Sequence, residues 1–415
     1  MNEFQYQNNI LHCEDIPVRR LAEKYGTPLY IYSKAAFLNR FQELRQGFSG
    51  LDPLICYSVK SNSNIAILKL LAQAGAGADI VSGGELFRCL KAGMTPDKIV
   101  FAGVGKTAEE ITYALDNGIH LFNVESMAEM RAISSLAKAG GQTARVGIRI
   151  NPDVDANTHA KTTTGKKENK FGLNISQAVE YYREAAALPN LKVAGVDVHL
   201  GSPIFSIEPY LSALRKLLPL IAELRKNGIA LEELDLGGGF GVVYKDENPF
   251  TPAQLAAEIG PAIRDTGLKL IVEPGRYIAG NSAILVTRVT YTKTTDVKRF
   301  LILDAGMNDL LRPAFYGSFH DIQPVEPREG DRAVCDVVGP ICESSDIFGK
   351  DRELPGVMEN DYLSLMSAGA YGFAMSSNYN SRPRACEVLV DRDRAVVIRT
   401  RETHADLIRG ERLDG

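Results

Sequence analysis

DPLICYSVKSNSNIAILKLLAQAG, residues 52–75, contains the step from which the fold can be read. Leu54–Val59 is a short apolar run of strand length, whereas Asn64–Gly75 spaces its apolar residues as an amphipathic helix does. Lys60 stands where the strand hands over to the helix. In parallel α/β proteins that junction gathers ligands, because side chains at the carboxyl ends of strands converge on one face. From these residues alone a solvated surface lysine would look the same, so the rest of the chain has to separate the two.

The same rhythm repeats outward from this stretch. Apolar or β-branched runs end at Lys60, Ser82 (ADIVS), Gly103 (IVFAG), Glu125 (LFNVE), Asn151 (RVGIRI), His199 (VAGVDVHL), Gly239 (ELDLGGG) and Glu273 (LKLIVEP), with helical patterns between most of them. In one of these, YLSALRKLLPLIAELRKNG, residues Leu211, Leu214, Leu218, Ile221 and Leu224 are expected on one face. Strands alternating with helices imply parallel pairing through right-handed crossovers, and eight such units predict a (β/α)8 TIM barrel. An open doubly wound sheet is the rival. It loses support because GGGFGV has Val242 where a dinucleotide fingerprint needs its last glycine.

From about Asn281 the pattern changes to period-two alternation (AILVTRVTYTKTT, FLILDA, AVCDVVG, ACEVLVDRDRAVVIRT), which predicts an antiparallel β domain. The extended TPLYIYS at residues 27–33 is expected to join it, and Ser33 is positioned as the N-cap of the next helix. The predicted domains are therefore a barrel over 33–280 and a β domain built from 1–32 and 281–415.

Composition limits the function classes. The 415 residues are 45% hydrophobic and 24% charged with a net charge of -4, enough for a large core and without the basic block that nucleic acid or an anionic membrane would require. No stretch approaches a membrane span, the N-terminus lacks a leader pattern, and the six cysteines contain no C-x-x-C pair. Together these lead to the expectation of a cytoplasmic protein with free thiols and no metal centre.

If the barrel holds, Lys60, Ser82, Glu125, Asn151, His199, Gly239 and Glu273 share one rim. The glycines of LDLGGGFG (Gly237, Gly238, Gly239, Gly241) would let backbone N–H groups approach an anion, although a tight turn would use them too. VEPGRY sets Glu273 beside Pro274, Gly275 and Arg276, offering a carboxylate for a protonated ring nitrogen and a guanidinium for a phosphate or carboxylate; a structural ion pair is the plainer alternative. A lysine, a glycine-rich phosphate cradle and an acid for a heterocyclic nitrogen together match the needs of pyridoxal 5'-phosphate. His199 could lie against such a ring and Ser202 could reach its phosphate, while Asn151 and Lys170 are explained equally well by loop structure.

Nearly end to end, the chain resembles the bacterial diaminopimelate decarboxylases, fold-type III pyridoxal phosphate enzymes related to alanine racemase. The resemblance rests on YSVKSN, NPDVDANTHAKTTTGKKENKFG, HLGSPI, LDLGGGFG, EPGR, DAGMNDLLRPAFY, GPICESSD and SAGAYGFAMSSNYN. It implies decarboxylation of meso-2,6-diaminopimelate to L-lysine, the last step of lysine biosynthesis. It further implies that Lys60 carries the cofactor as an internal aldimine, that His199 stacks on the ring, and that Glu273 pairs with the pyridinium nitrogen. Ser202, Gly238, Gly239, Pro274, Gly275, Arg276 and Tyr371 would complete the cofactor set. By the same resemblance, Arg276, Arg312, Tyr316, Glu343 and Tyr371 would hold the substrate, and Cys342 would donate the proton. Cys342 and Glu343 would act in the partner's site of a homodimer. The alternative is a related decarboxylase of ornithine, arginine or a carrier-bound amino acid. Departures from the family pattern, Ala160, Lys161 and Gly317, affect only expected details of substrate positioning.

Overall fold

The computed structural model describes residues 3–156 and 170–413. It divides into two compact units, one formed by Asn39–Val242 and Asn248–Tyr277, the other by Met1–Leu38, Val243–Glu247 and Ile278–Gly415.

The first unit is a closed parallel barrel. Its strands are Leu54–Ser58, Gly77–Ile80, Ile99–Phe101, Leu121–Val124, Ala144–Asn151, Leu191–Asp197, Glu233–Asp235 and Lys269–Val272. Each pairs in parallel with the next, and Ile271 of the last lies opposite Leu54 of the first, so the ring has no open edge. These are the eight runs read from the sequence, and their closure excludes the open sheet.

Alternation along each strand sorts the side chains by depth. Leu54, Cys56, Val100, Leu121, Ala194 and Ile271 form one apolar cluster. One or two alternate positions further along come Ser58, Asn123 and Glu273, all buried. At the strand ends the helices are capped by side-chain oxygens: Asn64, Ser82, Thr107, Ser126 and Thr251 each accept a backbone N–H of the first turn. Ser82, placed on the rim by sequence, therefore serves as an N-cap.

The helix Glu208–Lys226 buries Leu214, Ile221 and Leu224 of the expected stripe, but the centre of its buried face is shifted. Tyr210, Ala213, Leu214, Leu217, Leu220, Ile221 and Leu224 are buried, whereas Leu211 and Leu218 are only half-buried. The apolar arc of this helix is wide, and the sequence alone does not fix its centre.

In the second unit, Leu29–Ser33 lies between Ala283–Thr294, with which it is antiparallel, and Cys386–Asp391, with which it is parallel. A second parallel pair joins Arg299–Leu303 to Ala333–Val338, and the other described pairings of this unit are antiparallel. Leu29, Ile31, Ile284, Val286, Val388 and Val390 pack with Leu11, Val18 and Leu21 of the N-terminal segment. Ser33 Oγ accepts the N–H of Ala36 at 3.0 Å, the expected N-cap.

The barrel tolerates no side chain at Gly77, where a Cβ would stand 2.3 Å from the Lys98 carbonyl oxygen and 3.1 Å from Cys56 Sγ. Gly77→Ala is expected to cost about 2 kcal/mol through overpacking. Urea unfolding checks this: a lower midpoint at unchanged slope is predicted, and a wild-type midpoint would contradict the close packing.

Candidate active site

At the end of the first barrel strand a single 3₁₀ turn, Val59–Ser61, carries Lys60. Its Nζ donates to Asp79 Oδ2 at 2.9 Å, and Ser58 Oγ donates to the same oxygen at 2.7 Å. Asp79 is buried, and its other oxygen has no hydrogen-bond partner. Across the barrel Asn123 Nδ2 donates to Asp235 Oδ2 at 3.0 Å, and the Gly237 N–H donates to Asp235 Oδ1 at 2.9 Å. Glu273 is buried, and its Oε1 has no partner.

Few cations balance these acids. Arg149, buried beside them, donates to Glu125 Oε1 at 3.0 Å, lies 3.9 Å from Asp197 Oδ2 and stacks 5.0 Å from the Phe171 ring. Burial, reinforced by Asp235, Asp79 and Asp197, pushes the Glu273 carboxyl well above its ordinary range. Burial raises Asp235 to about 6 and also raises Asp197, to which the Asp235 charge adds. His199 is driven the other way, well below the usual imidazole range, by burial and by the Arg149 and Lys60 cations. It is therefore neutral, with Nδ1 accepting the Gly238 N–H at 3.2 Å.

The glycine run is a backbone cradle. A Cβ at Gly238 would lie 2.3 Å from the Glu273 carbonyl oxygen. One at Gly239 would lie 2.6 Å from that of Gly201, and Gly239 has φ +98°, a conformation that strains any other residue. Gly275 packs as closely on Ser58, with its Cβ position 2.8 Å away, and Arg276 Nε donates to Ser202 Oγ at 3.1 Å. The Pro274 carbonyl accepts the Ser58 N–H at 3.4 Å. The structure therefore brings Lys60, His199, Ser202, Gly238, Gly239, Glu273, Pro274, Gly275 and Arg276 together in the barrel unit. Glu125 joins the set as a buried partner of Arg149. Asn151 holds a turn instead, its Oδ1 accepting the Asp153 N–H, and the Lys170 ammonium rests 5.2 Å from the Phe171 ring. Ala160 and Lys161 lie outside the described residues.

The second unit carries the remaining candidates. Arg312 is buried and opens the helix Arg312–Tyr316, in which Tyr316 packs edge-on to Phe315 at 4.7 Å; Gly317 ends the helix in the left-handed region. Cys342 is the one exposed cysteine of the six, and its N–H donates to Asn380 Oδ1 at 2.9 Å. Glu343 accepts from the Tyr379 hydroxyl and, at 3.0 Å, from Ser345 Oγ. These donors hold its carboxyl below the usual range. Tyr371 has φ +57°, an unusual conformation for a bulky side chain and of the kind that clusters at functional sites.

Asp79, Arg149 and Asp235 contact the candidates of the barrel unit, and Tyr379 and Asn380 contact Glu343 and Cys342 in the second unit; the sequence alone does not single them out. Only the period-two alternation inside the barrel strands could have exposed the first three.

A closed barrel with a lysine, a paired acid and a glycine cradle at its strand ends defines a pyridoxal phosphate type of site. Residues 34–280 match the family model described as the pyridoxal binding domain of pyridoxal-dependent decarboxylases. The chain is 47% identical to diaminopimelate decarboxylase of Haemophilus influenzae over 98% of both chains. Among solved structures, diaminopimelate decarboxylase of Helicobacter pylori complexed with L-lysine is 43% identical with a TM-score of 0.91, covering 94% of this chain and 98% of that one. The enzyme of M. jannaschii in complex with L-lysine is 38% identical with a TM-score of 0.95, covering 99% and 98%. The chain belongs to the diaminopimelate decarboxylase family of pyridoxal-dependent decarboxylases.

The cofactor of this family is pyridoxal phosphate, and the residues present fit it. Glu273 Oε1 is a buried acceptor without a partner, the chemistry that a protonated ring nitrogen satisfies. The glycine cradle offers backbone too tightly placed for any side chain.

A carboxyl held above its unfolded pKa destabilises the fold only once pH rises past the ordinary carboxylate range near 4, and increasingly as pH climbs toward its folded value. Glu273→Gln should therefore raise the melting temperature of the cofactor-free protein, with a larger gain at pH 8 than at pH 5. A gain that is equal at both pH values, or a loss, would contradict the raised pKa.

Proposed function

We propose that this chain decarboxylates meso-2,6-diaminopimelate to L-lysine and carbon dioxide, the last step of lysine biosynthesis, as the names of its relatives suggest. The observation that carries the chemistry is the buried, unpartnered Glu273 oxygen within the acid cluster that holds Lys60. Bound pyridoxal phosphate supplies a ring that accepts the electron pair left when a carbon–carboxylate bond breaks.

The residues divide this work. Lys60 would hold the cofactor through Nζ, and Asp79 keeps that amine in the site when it is released. Glu273 would keep the ring nitrogen protonated, neutral His199 would lie against the ring, and Ser202, Gly238, Gly239, Pro274, Gly275, Arg276 and Tyr371 would hold the phosphate and ring. Arg276, Arg312, Tyr316 and Tyr371 orient the substrate, and the ionised Glu343 receives its distal ammonium. The carboxylate to be lost should lack a strong cation, because such a partner would resist its conversion to neutral carbon dioxide. Cys342 Sγ then gives its proton to the carbon that lost the carboxylate, and the thiolate recovers a proton from solvent.

The exposure of Cys342 and Glu343 in the single chain supports their acting in the partner's site of a homodimer. The barrel over 33–280 would bind the cofactor, and the β domain of 1–32 and 281–415 would supply these reaching residues. No helix among the described residues is long and apolar enough to cross a membrane.

Carbon dioxide release from the cofactor-loaded enzyme tests the reaction. Release with meso-diaminopimelate and not with ornithine, arginine or L-lysine is predicted, and faster turnover of ornithine or arginine would reassign the substrate. Glu273→Gln should lower kcat on the order of a hundredfold, the scale of losing one preorganised electrostatic partner. Mixing inactive Lys60→Ala and Cys342→Ala subunits should restore roughly a quarter of wild-type activity, since half the dimers are mixed and each has one complete site. No recovery after verified exchange would put the donor in its own chain.

A further inference from the structure

The second unit contains a buried histidine that the reaction described above does not use. His320 is fully buried, and its Nδ1 lies 2.8 Å from the Met366 carbonyl oxygen. Its Nε2 lies 2.9 Å from a terminal nitrogen of Arg312. A carbonyl oxygen only accepts, so Nδ1 carries the proton; a guanidinium only donates, so Nε2 presents its lone pair. The two partners thus select one neutral tautomer, and a second ring proton would point a donor at a donor.

Arg312 is held from a second direction. The Tyr244 ring lies 4.7 Å from its Cζ and meets the His320 ring edge-on at 5.7 Å and 78°. Tyr244 arrives on Val243–Glu247, which is tied to the same unit by the Asn281 side-chain amide donating to the Val243 carbonyl at 2.9 Å. An in-plane hydrogen bond and a face contact together fix both the position and the plane of the guanidinium. That plane is what bidentate recognition of a carboxylate requires.

We propose that His320 is a positioning residue for substrate binding: its unprotonated Nε2, with the Tyr244 ring, fixes the Arg312 fork to receive a substrate carboxylate. This rests on the role assigned above to Arg312. The other groups near His320 suit a neutral ring. Arg352 donates to the His320 carbonyl at 3.1 Å and lies over Phe319 at 4.1 Å, the Lys245 ammonium is 5.8 Å from that same ring, and Asp321 follows in the chain with its carboxylate turned to Ile322 and Gln323.

Two near-isosteric substitutions separate the roles of the two ring nitrogens. His320→Gln keeps an acceptor at the Nε2 position, whereas His320→Asn keeps only the donor toward Met366. In the cofactor-loaded enzyme His320→Asn should raise KM for the diamino acid about tenfold, the scale of losing one buried charge-assisted contact, with kcat within about twofold. His320→Gln should stay within about threefold of wild-type KM, and both variants should keep the bound cofactor's absorption band, with melting temperatures lowered by similar amounts since both shrink a fully buried side chain. An unchanged KM in His320→Asn, or equal losses in both variants, would overturn the proposal. Arg312→Gln separates its failure from that of the underlying role: an unchanged KM there refutes the carboxylate role of Arg312 itself. Long-range 1H–15N NMR of histidine-labelled holoenzyme then still decides the pairing. A neutral His320 protonated on Nδ1, whose Nε2 resonance moves in Arg312→Gln, is expected; protonation on Nε2 would overturn it.

Discussion

The structure depends on a charge imbalance buried at one end of a barrel. Asp79, Asp197, Asp235 and Glu273 are all buried, and among the described residues Arg149 acts on Asp197 and Lys60 on Glu273. One oxygen on each of Asp79, Asp197 and Glu273 has no hydrogen-bond partner. Such groups are expensive in a low-dielectric interior unless they are protonated or receive a cation. Burial and the neighbouring acids push the Glu273 carboxyl well above its ordinary range, and a protonated ring nitrogen beside it would relieve that cost. Under the proposed role of Glu273, cofactor binding and electron withdrawal would draw on one electrostatic source.

The barrel makes this arrangement rigid. Closure places alternate residues of every strand inside, so a polar residue two positions beyond an apolar one, as with Cys56 and Ser58 or Ile271 and Glu273, lands at the rim without any loop having to position it. Backbone packing then fixes the cradle. The Gly237 carbonyl accepts the Glu273 N–H at 2.8 Å, and the Gly238 carbonyl accepts the buried Tyr210 hydroxyl at 2.7 Å. The glycines are thereby tied to the acid they serve. In the second unit the same economy appears around Arg312, where a histidine and a tyrosine from separate segments hold one guanidinium.

Much of this was legible in the sequence because it is written in local patterns. Eight apolar runs, each ending in a polar residue or a glycine, identified the strands and put Lys60, His199 and Glu273 at their ends. The extended segment 27–33 could be assigned to the later sheet because Leu29–Tyr32 reads as an apolar strand and Ser33 caps the helix that follows. What stayed hidden depends on contacts distant in the chain. Asp79 and Asp235 sit inside runs that look like ordinary buried strands. Val243–Glu247 joins the second unit through Asn281, and no composition change marks it. The parallel pairing of Leu29–Ser33 with Cys386–Asp391 joins residues more than 350 positions apart, beyond the reach of any periodicity. Nothing in the local sequence marks His320, whose pairing with Arg312 is visible only in the fold.

Glu273 would hold the ring nitrogen of the bound cofactor in its protonated form. 15N NMR of the enzyme reconstituted with pyridoxal phosphate labelled at that nitrogen measures this directly. A pyridinium chemical shift that persists from pH 6 to 9 in the wild type and moves to that of a neutral pyridine in Glu273→Gln is the predicted result. A neutral pyridine shift in the wild-type enzyme would contradict it.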